Sequence, residues 1–284
     1  TMKNFKLNTI LVPTDFSETA QNALNHAIPL SKKSFAKIVL LHVVESSVFV
    51  SPIDLISSGY IISQMNDDSK ANLKFMSDKL VKEHNIEIEI ASFSGNVFDN
   101  IIQAVYIYDA DLIVMGSNSA TGLKEWLFGS TAFNVVDTAL VPVLTFSLNS
   151  NTCNFKKIVF PFNDNLLTLK KIEQVTVLSK IFNATILLFG FTDSHLISNM
   201  SIIRKKGYNL QKIFAEEGIS SSLTLSHGDD YADEILKFAN TESADIITVV
   251  ASKNHGADKD FKLKPDKKLV NHSGIPVLCV PVQD

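Results

Sequence analysis

The residues that could bind a phosphate lie in one stretch, MGSNSATGLKEWLFGST, at residues 115–131. The chain leaves an apolar, strand-like run through Gly116 and returns through Gly129, Ser130 and Thr131 into a helical pattern. Glycine lets the backbone approach a ligand closely, and a helix start offers N–H groups and a positive dipole end that suit an anion. The alternative interpretation is a surface loop in which Ser130 is an ordinary N-cap.

A second polar loop follows the first apolar run of the chain and contains Thr14, Asp15 and Ser17. Asp15 cannot attract a phosphate, but its carboxylate can accept from a ribose hydroxyl or an adenine amine, or hold a cation. The sequence contains neither the Walker pattern GxxxxGK[ST] nor the dinucleotide pattern GxGxxG. A nucleotide site would therefore require both loops to meet at one edge of a sheet.

Short apolar segments alternate with helical patterns and predict the sheet that would bring these loops together. Strands are expected in the first half at residues 9–13, 37–44, 86–92, 111–115 and 142–146. They are short, β-branched and almost continuously apolar, as strands buried on both faces should be. An alternating order of strands and helices implies a parallel sheet with right-handed crossovers and helices on both faces.

Two helices of the first half carry specific expectations. The first should begin after Ser17, a plausible N-cap, and Pro29 should kink it or end it early. The fourth should bury a face that contains Phe133, Val136 and Leu140.

The sequence repeats itself, and the repeat predicts two domains. TILVP, ADLIV and VPVL in the first half are followed, in the same order, by KIVFP, ADIIT and IPVL in the second. The second copy is shorter in its middle. We therefore expect domains at residues 1–148 and 153–284, joined by a polar stretch that is rich in turn formers.

In its first strand and helix, and in its glycine-containing loop, the chain resembles the universal stress protein family. ILVPTDFSETAQNAL at residues 10–24 is similar to the first strand and helix of that family. The spacing of Gly116, Ser119, Gly129 and Ser130 resembles its nucleotide signature, G-x2-G-x9-G-[ST]. The resemblance covers both halves and implies tandem α/β domains, each a doubly wound, Rossmann-like, five-stranded parallel sheet of order 3-2-1-4-5. That order reverses between strands one and four, where open α/β sheets bind ligands.

The resemblance also implies a ligand, ATP or another adenine nucleotide with Mg²⁺ as the companion ion of ATP, and the residues around it. Adenine and ribose would be bordered by Pro13, Thr14, Asp15 and the backbone of Val43. Ribose and phosphates would be surrounded by Met115, Gly116, Ser117, Gly129, Ser130 and Thr131. Ser119 replaces the second glycine of the signature, so its Cβ could crowd the phosphates while its hydroxyl could donate to them. Family members without the full signature tend not to bind ATP.

The second half does not keep these features, and we expect a degenerate copy that lacks the motif. Phe162 stands in place of Thr14, and Ala251 stands in place of Gly116. Pro265 lies in the stretch that replaces the returning Gly-Ser pair, and proline lacks the N–H that a phosphate would need.

Pairing of the two halves is the expected role of this degenerate copy. Domains of the family commonly pair through their last strands, here residues 142–146 and 276–281. Such pairing would form a pseudo-dimer within one chain and cover both sheet edges, and a further homodimer could form in addition. Six lysines at residues 253–268 could bind an anion or a partner, although a solvated loop is the simpler interpretation. Residues 53–65, largely absent from the second half, could form a lid or an interface.

Composition narrows the class of protein. The chain has 284 residues, of which 45% are hydrophobic and 20% charged, as expected for two globular domains. A net charge of −4 gives no reason to expect binding to nucleic acid or to an anionic membrane. No apolar run is long enough to span a bilayer and no secretory signal is visible, so we expect a cytoplasmic protein. Two cysteines are too few for a disulfide framework or a zinc site.

Three functions remain open. The first is a stress-response protein whose first domain binds an adenine nucleotide as a regulatory ligand, without rapid turnover, and so changes the surface seen by an unidentified protein partner. The second is an interaction module that binds no nucleotide, which Ser119 and the degenerate second half favour. The third is a weak ATP hydrolase or nucleotidyl-transferring enzyme, although the sequence shows no GxSxG elbow, no HExxH motif and no recognisable catalytic base.

Overall fold

The computed structural model describes residues 5–45, 55–117, 130–148, 150, 154–193, 200–251, 269 and 273–282. Ser119, Gly129, Cys153 and residues 253–268 lie outside the described residues. The side chains of residues 55–63, 130, 167 and 168 are likewise not described.

Each half forms a five-stranded parallel sheet. The first half contains β1 (Thr9–Pro13), β2 (Lys37–Glu45), β3 (Ile88–Gly95), β4 (Leu112–Gly116) and β5 (Val143–Phe146). The second contains β6 (Lys157–Phe162), β7 (Thr185–Asp193), β8 (Ser221–Gly228), β9 (Ile246–Ala251) and β10 (Val277–Pro281). The strand orders are β3-β2-β1-β4-β5 and β8-β7-β6-β9-β10, so the predicted order 3-2-1-4-5 is confirmed in both halves. The third strand begins and ends later than predicted.

The two halves join through their last strands. β5 and β10 are antiparallel, with Leu144 opposite Leu278 and Val143 opposite Cys279. The described strands thereby form one ten-stranded sheet, in which β5 and β10 cover each other's edge. The predicted pairing of the last strands is confirmed, while the boundaries of the two domains at residues 148 and 153 stay a prediction.

Helices cover both faces of the sheet. Those of the first half are α1 (Glu18–Ser34), α2 (Leu55–His84), α3 (Val97–Ile107) and α4 (Ser130–Thr138). Those of the second half are α5 (Ile172–Phe182), α6 (Met200–Glu216) and α7 (Tyr231–Thr241). One apolar layer contains side chains of α1, α2, α5 and α6, and the layer on the opposite face contains side chains of α3, α4 and α7. This is the two-layer burial that a doubly wound sheet requires.

Helix α1 begins as predicted but does not end as predicted. The Ser17 hydroxyl caps it by accepting from the Ala20 N–H at 3.2 Å. The helix continues through Pro29 to its end, so the expected early end at Pro29 is wrong. Ile28 and Leu30 are only 5% and 0% exposed, and their burial on either side of the proline offsets the lost backbone hydrogen bond.

Helix α4 buries a face that only partly matches the predicted one, since Val136 is buried as expected but Phe133 and Leu140 are not. Its buried side chains are Ala132, Val135 and Val136, whereas Phe133 is only partly buried. Leu140 lies beyond the end of the helix and is 41% exposed. The sequence pattern was misleading because small residues pack closest to the sheet, and a larger apolar residue can lie at the margin of the buried stripe.

The extra residues of the first half lengthen one helix. Helix α2 has 30 residues and its counterpart α6 has 17, and residues 55–65 form the first turns of α2. A role of this segment as a lid or an interface stays a prediction.

Candidate functional site

A cavity of about 320 Å³ lies at the carboxyl ends of β1 and β4, where the strand order reverses. These two strands pair only at Ile10 with Leu112 and at Leu11 with Ile113, and then diverge. Residues of α1, α3 and α4 form the surrounding walls. Open α/β sheets bind ligands at this position, and the volume falls within the range of small-molecule sites.

Both polar loops identified from the sequence reach this cavity. Eight of the predicted site residues line it: Pro13, Thr14, Asp15, Val43, Met115, Gly116, Ser117 and Thr131. Ser130 is the first residue of α4, but its side chain is not described. Since Ser119 and Gly129 lie outside the described residues, their placement around a ligand stays a prediction.

The loop after β1 is held by local hydrogen bonds. The Thr14 N–H donates to the Leu41 carbonyl at 2.8 Å, and the Thr14 hydroxyl accepts from the Phe16 N–H at 3.0 Å. Asp15 Oδ1 accepts from the Ser17 N–H at 3.0 Å. Phe16 has a φ of 63°, which is uncommon for a bulky residue. These bonds fix the loop, so the exposed carboxylate of Asp15 is presented from a defined backbone.

His42 stabilises the same loop, a role that the sequence did not reveal. Its Nδ1 donates to the Thr14 carbonyl at 2.7 Å, because a carbonyl can only accept. The His42 ring also lies 4.6 Å from the ring of Phe16. In the sequence, this role could have been suspected from a histidine within an otherwise apolar strand. The next residue, Val43, lines the cavity.

Gly116 is required by packing, whether or not a ligand binds. A Cβ at this position would lie 2.6 Å from Thr19 Cγ2 and 3.1 Å from the Thr19 carbonyl oxygen. The first turn of α1 therefore approaches the end of β4 too closely for a side chain. The close approach of backbone to phosphate remains a second, untested reason for glycine here.

Ser117 fixes the chain as it leaves β4. Its N–H and its hydroxyl both donate to the Phe146 carbonyl, at 2.8 Å and 3.1 Å. The residue is 3% exposed. Its side chain thus ties the edge of the cavity to the end of β5.

Sequence reasoning missed an apolar wall and a second carboxylate. Leu41, Val97 and Ile101 line the cavity with Val43 and form an apolar surface on one side. Glu45, an exposed residue at the end of β2, also lines it. Val97 could have been found as the first residue after Asn96, whose side chain caps α3.

In the second half, larger side chains stand at the equivalent positions. The strand registers align β1 with β6 and β2 with β7. Aromatic residues then replace smaller ones: Phe162 for Thr14 and Phe191 for Val43. Tyr231, the first residue of α7, stands in the place of Val97, the first residue of α3. Phe162 and Phe191 are 0% and 7% exposed, and the ring of Phe191 lies 5.0 Å from that of Tyr231. The rings of Phe191 and Tyr231 lie in the layer that corresponds to the cavity wall of the first half, whereas the ring of Phe162 lies in the opposite layer, beside α6.

Two glycines make room for the ring of Phe162. A Cβ at Gly190 would lie 2.8 Å from Phe162 Cζ, and one at Gly207 would lie 3.1 Å from it. Gly190 stands in the register position of His42. The second half has therefore exchanged a threonine–histidine contact for a phenylalanine–glycine contact.

Comparison with known proteins agrees with this architecture. The model of the universal stress protein family matches residues 6–147. The chain belongs to the universal stress protein family. A universal stress protein of Methanocaldococcus jannaschii is 33% identical over 136 residues, which cover 48% of this chain and 79% of the relative. Universal stress protein YxiE of Bacillus subtilis is 29% identical over 143 residues, which cover 48% of this chain and 97% of the relative.

Solved structures show that the whole of this universal stress protein has a known tandem fold. A universal stress protein from Archaeoglobus fulgidus superposes with a TM-score of 0.79 at 20% identity, covering 98% of this chain and 99% of the other. A protein of Pseudomonas aeruginosa described as functionally unknown superposes with a TM-score of 0.70 at 15% identity, covering 97% and 92%. At these identities the similarity shows the fold alone.

Within the described part of this universal stress protein, none of the helices combines the length and the apolar character needed to span a bilayer. Among the same residues, no group of three or more His, Cys, Asp or Glu side chains could hold a metal ion.

Proposed function

We propose that this universal stress protein binds ATP or another adenine nucleotide in the first-half cavity, as a regulatory ligand that is not rapidly turned over. One observation carries the proposal, namely a cavity at the β1–β4 reversal that is lined by residues of both polar loops. A cytoplasmic location and a protein partner that reads the bound state belong to the same proposal.

The chemistry of the walls suggests how the nucleotide would lie. The apolar surface that includes Val43, Val97 and Ile101 suits the base. Asp15 can accept from a ribose hydroxyl. The phosphates would lie toward the start of α4 near Thr131, where N–H groups and the helix dipole favour negative charge. They would lie away from Glu45, and Mg²⁺ bound to ATP would offset the charge of Asp15.

A titration with a fluorescent ATP analogue tests the proposal on the wild-type protein and on Ser119→Gly. We expect saturable binding to both, and tighter binding to the variant if the signature position lies beside the phosphates, because glycine has no Cβ to crowd them. Asn25→Ser, a change at an exposed position of α1 outside the cavity lining, serves as the control and should bind as the wild type does. If neither the wild type nor Ser119→Gly binds, the protein is an interaction module without a nucleotide. Phosphate release during the titration would instead favour the weak hydrolase.

A further inference from the structure

The loop after β6 in the second half surrounds the ammonium group of Lys206, which lies on α6. Lys206 Nζ donates to the carbonyl oxygens of Asn163 at 2.7 Å, Asp164 at 3.3 Å and Asn165 at 2.9 Å. Three consecutive carbonyls thus converge on one cation. In the first half the corresponding loop, residues 15–17, borders the cavity.

This arrangement has the chemistry of a monovalent-cation site. Backbone carbonyls that converge at such distances replace the hydration shell of potassium in proteins, and an ammonium group is a monovalent cation of similar size that carbonyls can solvate by accepting its N–H groups. The three N–H groups of a lysine ammonium match the three carbonyls. Asn165 N–H donates to Asn163 Oδ1 at 3.0 Å, so the turn that directs the carbonyls inward has its own stabilising bond.

Packing brings Lys206 to this position. Gly207, the next residue, lies so close to β8 that a Cβ would be 2.6 Å from Leu223 Cδ1. The same Cβ would be 3.1 Å from Phe162 Cζ. The helix is therefore held against Leu223 and Phe162, and the backbone that carries Lys206 lies within reach of the loop.

We propose that residues 163–165 form a cage for a monovalent cation and that the Lys206 ammonium is its tethered occupant, which holds the loop in one conformation without any ligand. The second half would then be a fixed support beside a first half whose loop borders an open cavity. This inference concerns only the second half and does not depend on nucleotide binding in the first.

Backbone hydrogen exchange of residues 163–165 tests the cage in Lys206→Met. In tetramethylammonium chloride these residues of Lys206→Met should exchange about tenfold or more faster than in the wild type, because that cation is too large for the cage. In potassium chloride the exchange of the variant should slow again toward the wild-type rate. Lys205→Met alters the neighbouring exposed lysine and should exchange like the wild type in both salts. Wild-type exchange in Lys206→Met without potassium, or an acceleration that potassium does not reverse, would overturn the proposal.

The unmutated protein provides a second measurement that does not depend on the folding of a variant. Proton–nitrogen NMR should show ammonium protons of Lys206 that exchange slowly with water, because all three are donated to carbonyls. The ammonium of the exposed Lys205 should show no such protection. A Lys206 signal that exchanges as fast as that of Lys205 would overturn the cage.

Discussion

At the scale of single residues, Lys171 is the least expected feature of the molecule. It is 2% exposed, and its Nζ donates to the carbonyls of Pro161 at 2.7 Å and Thr248 at 2.9 Å. The same Nζ lies 4.6 Å from the ring centroid of Phe160. β6 and β9 diverge after only two paired positions, so the amine bridges carbonyls that the strand ladder no longer connects. Burial lowers the pKa of Lys171 well below its usual value, against a smaller opposing influence of Cys279.

This buried amine makes stability depend on pH in a defined direction. In the unfolded chain Lys171 keeps a pKa of about 10.4 and so binds a proton more readily than in the fold. The free energy of unfolding should therefore rise with pH toward about pH 10 in the wild type, and Lys171→Met should lack this contribution. Urea denaturation at several pH values measures the difference between the two proteins.

The matched control for this prediction is Lys170→Met, which changes the exposed neighbouring lysine. It should follow the wild-type pH dependence. If the difference in the free energy of unfolding between the wild type and Lys171→Met stayed constant from neutral to alkaline pH, the expected contribution of Lys171 would be contradicted.

Residue types predicted much of the site but not its second-half counterpart. Asp15 and Gly116 could be identified because they follow buried strands directly. Lys171 could not be identified, because in the stretch LTLKKIEQ it looks like a solvated lysine and only the fold shows that it is buried. Phe162 was seen to replace Thr14, but its ring is buried against α6 only because two distant glycines admit it.

At the scale of elements, the contact between α1 and β4 shapes the cavity. α1 begins directly after the loop of β1, and its first turn touches Gly116. In the second half α5 begins only at Ile172, after a 3-10 turn at Leu166–Leu169, and Ala251 is accommodated at the end of β9. Because the helix of the second half starts later, the end of β9 can carry an alanine where the first half needs a glycine.

The close contact predicts that Gly116→Ala destabilises the protein by about 1–3 kcal/mol, since an added methyl group has no space beside Thr19. Chemical denaturation at constant pH measures the loss. Gly274→Ala is the matched control, because nothing lies within 4 Å of a Cβ built there. Equal stability of the two variants would show that α1 can move away from β4 at no cost.

Element positions were more predictable than element ends. Alternating apolar runs located β1 and its neighbours because buried parallel strands have a distinctive composition. The sequence did not show that α1 passes Pro29, because the burial of residues on both sides of a proline is a tertiary effect.

At the scale of the whole molecule, one sheet carries an open half and a filled half. The connection between the halves is bound to α1, which also borders the cavity. Asn22 Nδ2 donates to the Ser147 carbonyl at 2.8 Å and the Ser150 carbonyl at 3.2 Å, and His26 stacks on Phe146 with ring centroids 4.2 Å apart.

The tandem order and the pairing of β5 with β10 could be predicted from the internal repeat and the family resemblance. The asymmetry between the halves was visible as a lost motif, but its physical cause, the aromatic filling, was not.

The asymmetry predicts a single nucleotide site per chain, and calorimetric titration with ATP measures the number directly. Val97→Tyr introduces into the first half the residue that stands in the equivalent place, Tyr231, of the filled half. Val81→Tyr, at a site 41% exposed on α2, is the control. We expect one ATP per chain for the wild type and the control, and none for Val97→Tyr. Two sites per chain, no binding to the wild type, or unchanged binding to Val97→Tyr would contradict the assignment of the nucleotide to the first-half cavity.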